Sequence, residues 1–164
     1  MDDSGERSLM NEYAIVKWIH IVSSTILFGT GLGTALHMWL THHSGDVQAI
    51  ATTARNVVRV DWMFTATSGI VQPITGIILM RLLGFDPAAP WLLASYALYV
   101  FAFCCWASVV WLQMRVRDIA QTAASQGTAL PARYYQYMRW WFWLGWPAFF
   151  SLLAVFYLMT AKPG

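Results

Sequence analysis

Four apolar stretches, each long enough to cross a lipid bilayer, leave this chain few ways to fold. They run from about Tyr13 to Leu40, Trp62 to Leu83, Trp91 to Met114 and Trp140 to Thr160. About 20 helical residues cross a bilayer's hydrocarbon core, and backbone groups inside it must be satisfied by the chain itself. Charge content points the same way: only 11% of the 164 residues are charged, against roughly a quarter in a soluble domain. The polar residues needed to cover a water-facing surface are lacking. The expectation is an all-α, four-transmembrane-helix bundle over residues 13–161, with polar tails at 1–12 and 162–164 and the lipid bilayer as its principal partner.

The opening segment, MDDSGERSLMNE, is acidic, the wrong sign for the basic start of a cleavable leader. The net charge of +2 is no argument for nucleic acid. Between the first two spans lies THHSGDVQAIATTARNVVRVD. Its residues Val47, Ile50, Ala54, Val57 and Val58 share one helical face, which predicts a short interfacial helix with Arg55 and Arg59 reaching headgroups. Asp61, just before the second span, is placed to cap it electrostatically. The segment Gly84–Pro90 reads as the turn before span three, and the polar run from Arg115 to Arg139 as the linker before span four. Pro73 interrupts the second span and frees a carbonyl that a neighbouring helix must satisfy.

Four spans put both termini on one side. The loops after spans one and three contain Arg55, Arg59, Arg115, Arg117, Arg133 and Arg139, whereas the other side has Arg7, Lys17, Arg81 and Lys162. By the positive-inside rule, both termini face the periplasm of a bacterial inner membrane.

His20 is the residue that asks for a function. It sits about two turns into the first span, where an ionisable side chain is costly unless paired, hydrogen-bonded or ligated. Neutral imidazole is a common axial ligand of haem iron, and a histidine facing a bundle interior can also simply bond a serine or a carbonyl. Ser23 and Ser24 share its face, and Lys17 precedes it by one turn, within reach of the interface or of a haem propionate. Gly29 and Gly33 form a GxxxG pair that reads first as helix packing; Gly31 lies between them, where a macrocycle could approach the backbone. Antiparallel threading brings Gln72, Thr75, Met80, Tyr96, Tyr99, Tyr157 and Met159 to the depth of His20. Met80 or Met159 could supply a thioether to a metal, and Gln72 must hydrogen-bond within the bundle. His37 is 17 residues from His20, about 25 Å along a helix, too far to share one metal. It groups with His42 and His43, which read more simply as solvated. Cys104 and Cys105 are adjacent and cannot form an ordinary disulfide; they are soft donors without a recognisable metal spacing.

The stretches KWIHIVSSTILFGTGLGTALHMW, DWMFTATSGIVQPITGIILM, VVWLQMRVRDIA and LPARYYQYMRWWFWLGWPAFFSLLAVFYLMTAKP together resemble the bacterial membrane proteins of domain-of-unknown-function family 2269, over nearly the whole chain. More distantly, Lys17–x–x–His20 and Pro73–x–x–Gly76 are similar to HemJ-type protoporphyrinogen oxidases and the CopD superfamily. That resemblance implies haem b held by His20, with electron transfer or oxidation of a porphyrin-like or quinone-like substrate. HemJ-type proteins carry a further histidine in the third span, and this chain has none there. The candidate cofactor-binding residues are therefore His20, Lys17, Ser24, Gly31 and Tyr96, with His20 and Met80 as metal ligands. Copper handling by methionine, histidine and cysteine is one alternative. A non-enzymatic subunit of a homo-oligomer or larger membrane complex is another.

Overall fold

A computed structural model describes residues 3–163 of the chain. Helix α1 spans Asp3–Ser44, α2 Val47–Val60, α3 Ala66–Leu82, α4 Pro90–Gln126 and α5 Ala132–Ala161. No strand occurs among the described residues. A π-helical turn, Asp61–Thr65, carries α2 into α3 without a break, so these three elements form one rod. Four rods, Gly5–Ser44, Val47–Leu82, Pro90–Gln126 and Ala132–Ala161, are each long and apolar enough to cross a membrane.

The rods are longer than the apolar spans that predict them. Residues 5–12, expected in the N-terminal tail, are exposed but helical, and residues 1, 2 and 164 of the expected tails lie outside the described residues. The expected linker is helical through Gln126, where Gly127 adopts the left-handed conformation (φ 63°) and ends α4, a conformation glycine reaches without Cβ strain. Pro90 does not close the preceding turn but starts α4, a position where its missing N–H has no intrahelical partner to lose.

These extensions exist because they bury something. One cluster joins Met38 of α1, Ile50, Ala54 and Val57 of α2, Val116 and Ala120 of α4, and Tyr134 and Met138 of α5. It lies at the α2 end of the bundle, around and beyond the limits of the apolar spans. Helices gain little from hydrophobic association within lipid, whereas segments that emerge into water gain it fully. The apolar face expected to rest on headgroups is real: Ile50, Ala54, Val57 and Val58 are buried, and Arg55 and Arg59 are exposed. It packs on protein helices instead of lying on the bilayer, because α2 is a continuation of span two. Asp46 starts that rod, its Oδ1 accepting from the backbone N–H groups of Gln48 (2.9 Å) and Ala49 (3.1 Å). Asp61 is therefore mid-helix and caps nothing.

The proline in α3 is accommodated as the lipid environment requires. Pro73 has no N–H to give to the Gly69 carbonyl one turn back; Tyr99 of α4 donates its hydroxyl to that carbonyl. Gly29 and Gly33 are exposed, with nothing within 4 Å of a Cβ added at either. The GxxxG pair thus packs against no other helix of this chain among the described residues. We expect Tyr99→Phe to destabilise the protein by about 1 kcal/mol, seen as a lowered unfolding midpoint in detergent, while Gly33→Ala leaves that midpoint unchanged or slightly raised.

Candidate functional site

Helix α1 presents its inward side as a single seam: His20, Ser23, Leu27, Gly31, Thr34 and Met38, spaced three or four residues apart as one face of a helix requires. Much of this seam is polar or small, while Ile15, Ile21 and Leu40 are exposed. That arrangement is inverted relative to a soluble helix. It divides into two neighbouring sites.

The first lies between α1 and α3. His20 Nδ1 is 2.7 Å from Thr75 Oγ1. Thr75 donates its own proton to the Val71 carbonyl at 2.8 Å or the Gln72 carbonyl at 3.2 Å. The hydroxyl is therefore free to accept from Nδ1–H, which leaves the lone pair on Nε2. Gln72 Nε2 donates to the His20 carbonyl (2.7 Å) and to Ser23 Oγ (2.6 Å), pinning the backbone that carries the imidazole. A Cβ added at Gly76 would meet His20 Cε1 at 3.5 Å, so the absence of a side chain there leaves the ring edge uncovered. His20 is half-buried, and no hydrogen bond to its Nε2 occurs among the described residues.

The second site lies at the junction of all four rods. The π turn places Asp61 inward, 4% exposed. Its Oδ2 accepts from Gln113 Nε2 of α4 at 2.8 Å, and its Oδ1 from Thr65 Oγ1 at 3.0 Å. Thr34 Oγ1 of α1 lies 3.4 Å from Oδ1 and is closer, at 2.9 Å, to the Thr30 carbonyl. These donors are all neutral. Above Asp61 the rods separate around a cavity of about 490 Å³ whose walls include Gly31, Trp39, Tyr99, Trp106, Trp141 and Gly145. Across it, α1 and α5 meet through ring pairs, Phe28 with Phe149 (centroids 5.1 Å apart) and Trp39 with Phe142 (4.2 Å).

Residues 14–163 match a family described as predicted integral membrane protein, domain of unknown function 2269. The chain belongs to the DUF2269 family. No curated protein and no solved structure matches it.

In this DUF2269 protein the predicted site residues separate. His20 and Gly31 lie on the inward seam of α1, His20 against α3 and Gly31 on the cavity wall. Lys17 places its ammonium 5.3 Å from the Tyr13 ring centroid. Ser24 turns back to the Ile21 carbonyl (2.8 Å), and Ser23 takes the interior role. Tyr96 donates to Met80 Sδ at 3.1 Å, joining α4 to α3. Of the residues level with His20 by threading, Thr75 and Gln72 meet it. Cys104 is exposed and Cys105 buried, so they face different surroundings. His42 Nδ1 lies 3.1 Å from Tyr134 Oη and His43 Nδ1 2.8 Å from the Trp39 carbonyl. No group of three or more His, Cys, Asp or Glu suited to a metal occurs among the described residues.

The Asp61–Gln113 pair escapes sequence reading because Asp61 reads there as a cap outside the second span and so is not threaded against the third. The available signal was two polar residues near the ends of apolar spans; only the π turn makes them meet. In DUF2269 as folded here, Asp61→Ala strands Gln113 Nε2 and the Thr65 hydroxyl. It should cost about 2 kcal/mol, and Asp61→Asn, which keeps a carbonyl acceptor, should recover part of that loss in detergent unfolding.

Proposed function

We propose that this DUF2269 protein binds haem b in the bacterial inner membrane through Nε2 of His20, and that it carries electrons to or from a porphyrin-like or quinone-like substrate. The observation that supports this reading is the His20–Thr75 contact of 2.7 Å. A metal-ligating histidine usually gives its other ring N–H to a neighbouring acceptor, which fixes the tautomer and the ring orientation. Thr75 is such an acceptor, and Gln72 steadies the same turn of α1. Both fit an imidazole held ready for a ligand. Met80 is already bonded by Tyr96, so the reading assigns one axial ligand from the chain.

Bound haem would supply a one-electron iron couple. The chain's own contributions are the oriented imidazole, the apolar helices that keep water away, and Lys17 one turn outward as a cation for a propionate.

The test is the visible spectrum of detergent-purified protein from haem-replete cells, oxidised, dithionite-reduced and reduced under carbon monoxide. The expected wild-type result is a Soret band that shifts with carbon monoxide, since an iron with one protein ligand has an open position. His20→Ala should lose the band. Thr75→Val should keep it while weakening haem retention about 10- to 100-fold, the usual effect of losing such a supporting group. A colourless, folded wild-type protein would overturn the proposal.

We infer from the arginines at the α2 end that this end faces the cytoplasm and both termini the periplasm, since positively charged flanks are retained inside. A C-terminal alkaline phosphatase fusion, a reporter that folds only outside the cytoplasm, should therefore be active.

A further inference from the structure

The four-rod cavity is a binding site that the His20 reading does not use. Its lining on α1 begins at Leu27, seven residues from His20, about 10 Å along the helix. Several of its walls, Leu32, Leu36, Phe103 and Trp146, are also exposed on the outer surface, so the cavity is continuous with the face that meets lipid. An occupant can enter from the bilayer.

The other end is polar. Asp61, Thr65 and Gln113 line it, together with the indole of Trp141. Gln113 and Trp141 are 93% and 95% buried, from exposures of 7% and 5%, yet Gln113 Oε1 and Trp141 Nε1 have no hydrogen-bond partner. Reversing the Gln113 amide would set its oxygen against Asp61 Oδ2, acceptor to acceptor, where Nε2 now donates at 2.8 Å. A buried acceptor and a buried donor without partners, on two side chains at one end of the cavity, are costly, and a ligand head that both donates and accepts would relieve both once a small side-chain shift uncovered those atoms. No lysine or arginine lines the cavity. A fatty-acid carboxylate, a phospholipid phosphate or a haem propionate would therefore meet Asp61 without a neutralising cation. An anionic head is disfavoured, and because the unpaired groups are one amide acceptor and one indole donor, a neutral head that both donates and accepts matches them. The rings of Trp106, Trp141 and Phe142 along the wall suit a flat head, and the volume is that of a small-molecule site.

We propose that the cavity binds a neutral, lipid-soluble molecule of the quinone–hydroquinone class, with its oxygenated ring at Asp61, Gln113 and Trp141 and its apolar tail directed toward the bilayer between α1 and α5. This site does not depend on haem at His20.

Two glycines make the test clean. Gly31 and Gly145 both line the cavity, and a Cβ added at either has nothing within 4 Å, so a side chain there starts into open space and takes up volume an occupant would need. The full chain in phosphatidylcholine nanodiscs would be titrated with a decyl-substituted benzoquinone, following quenching of tryptophan fluorescence. Saturable quenching is expected. Gly31→Leu, Gly145→Leu and Gln113→Leu should each weaken binding about tenfold or more, the effect of roughly 1.4 kcal/mol. Gly33→Leu, on the exposed side of α1, and His20→Ala should bind as the wild type does. Unchanged binding in both cavity-filling variants would refute the proposal. So would full reversal of the quenching by hexadecane at a concentration equal to that of the quinone, which would make the cavity an acyl-chain cleft. Loss of binding in His20→Ala alone would show that the quinone depends on the haem site and would overturn the assignment to this cavity.

Discussion

Lipid offers no hydrogen bonds, so polar groups carried into the bundle draw on their own helix or on a neighbouring one for partners. Most of the tertiary structure answers to that constraint. Helix α1 turns His20, Ser23 and Thr34 inward and meets Thr75, Gln72 and Asp61 in turn. Tyr99 of α4 takes up the Gly69 carbonyl that Pro73 leaves free. Gln113 of α4 reaches Asp61. These contacts define which helices are neighbours and at what height, a role that apolar packing cannot play when lipid tails are as apolar as the side chains.

The two ends of the molecule are held together differently. At the α2 end the rods outrun the apolar spans and close on a core with Ile50, Tyr134 and Met138 almost fully buried. There the hydrophobic effect operates as in a soluble protein. Toward the middle, the same rods diverge, and aromatic pairs such as Phe28 with Phe149 span the gap that backbone contact does not. A rigid, close-packed base under a loosely spanned upper half is a natural way to keep a cavity open in a bundle this small. The π turn at Asp61–Thr65 marks the transition between them. Asp61 and Thr65, at its two ends, are buried, and such turns recur at functional sites.

Family membership and membrane integration are settled for this chain, and the chemistry is proposed from two sites with different demands. One offers a single oriented imidazole beside an uncovered ring edge. The other offers a volume, a neutral polar end and no cation. The separation between them along α1 means that each can be occupied, or fail, without the other.

Much of this was legible in the residues themselves. Run length and charge scarcity determine four spanning helices, because only a helix meets its own backbone needs in lipid, and the apolar face of Val47–Val58 determines that α2 buries one side. His20 was visible as an ionisable group at a costly depth, and threading alone brought Gln72 and Thr75 to its level. Tertiary structure decided the rest. It set Ser23 rather than Ser24 inward, tied Met80 to Tyr96, left Gly29 and Gly33 facing outward, and made Asp61 the foot of a cavity instead of a cap. Inside a membrane the inward and outward faces of a helix are both apolar enough to satisfy composition. Which face turns in is settled by the particular polar atoms on other helices that it can reach.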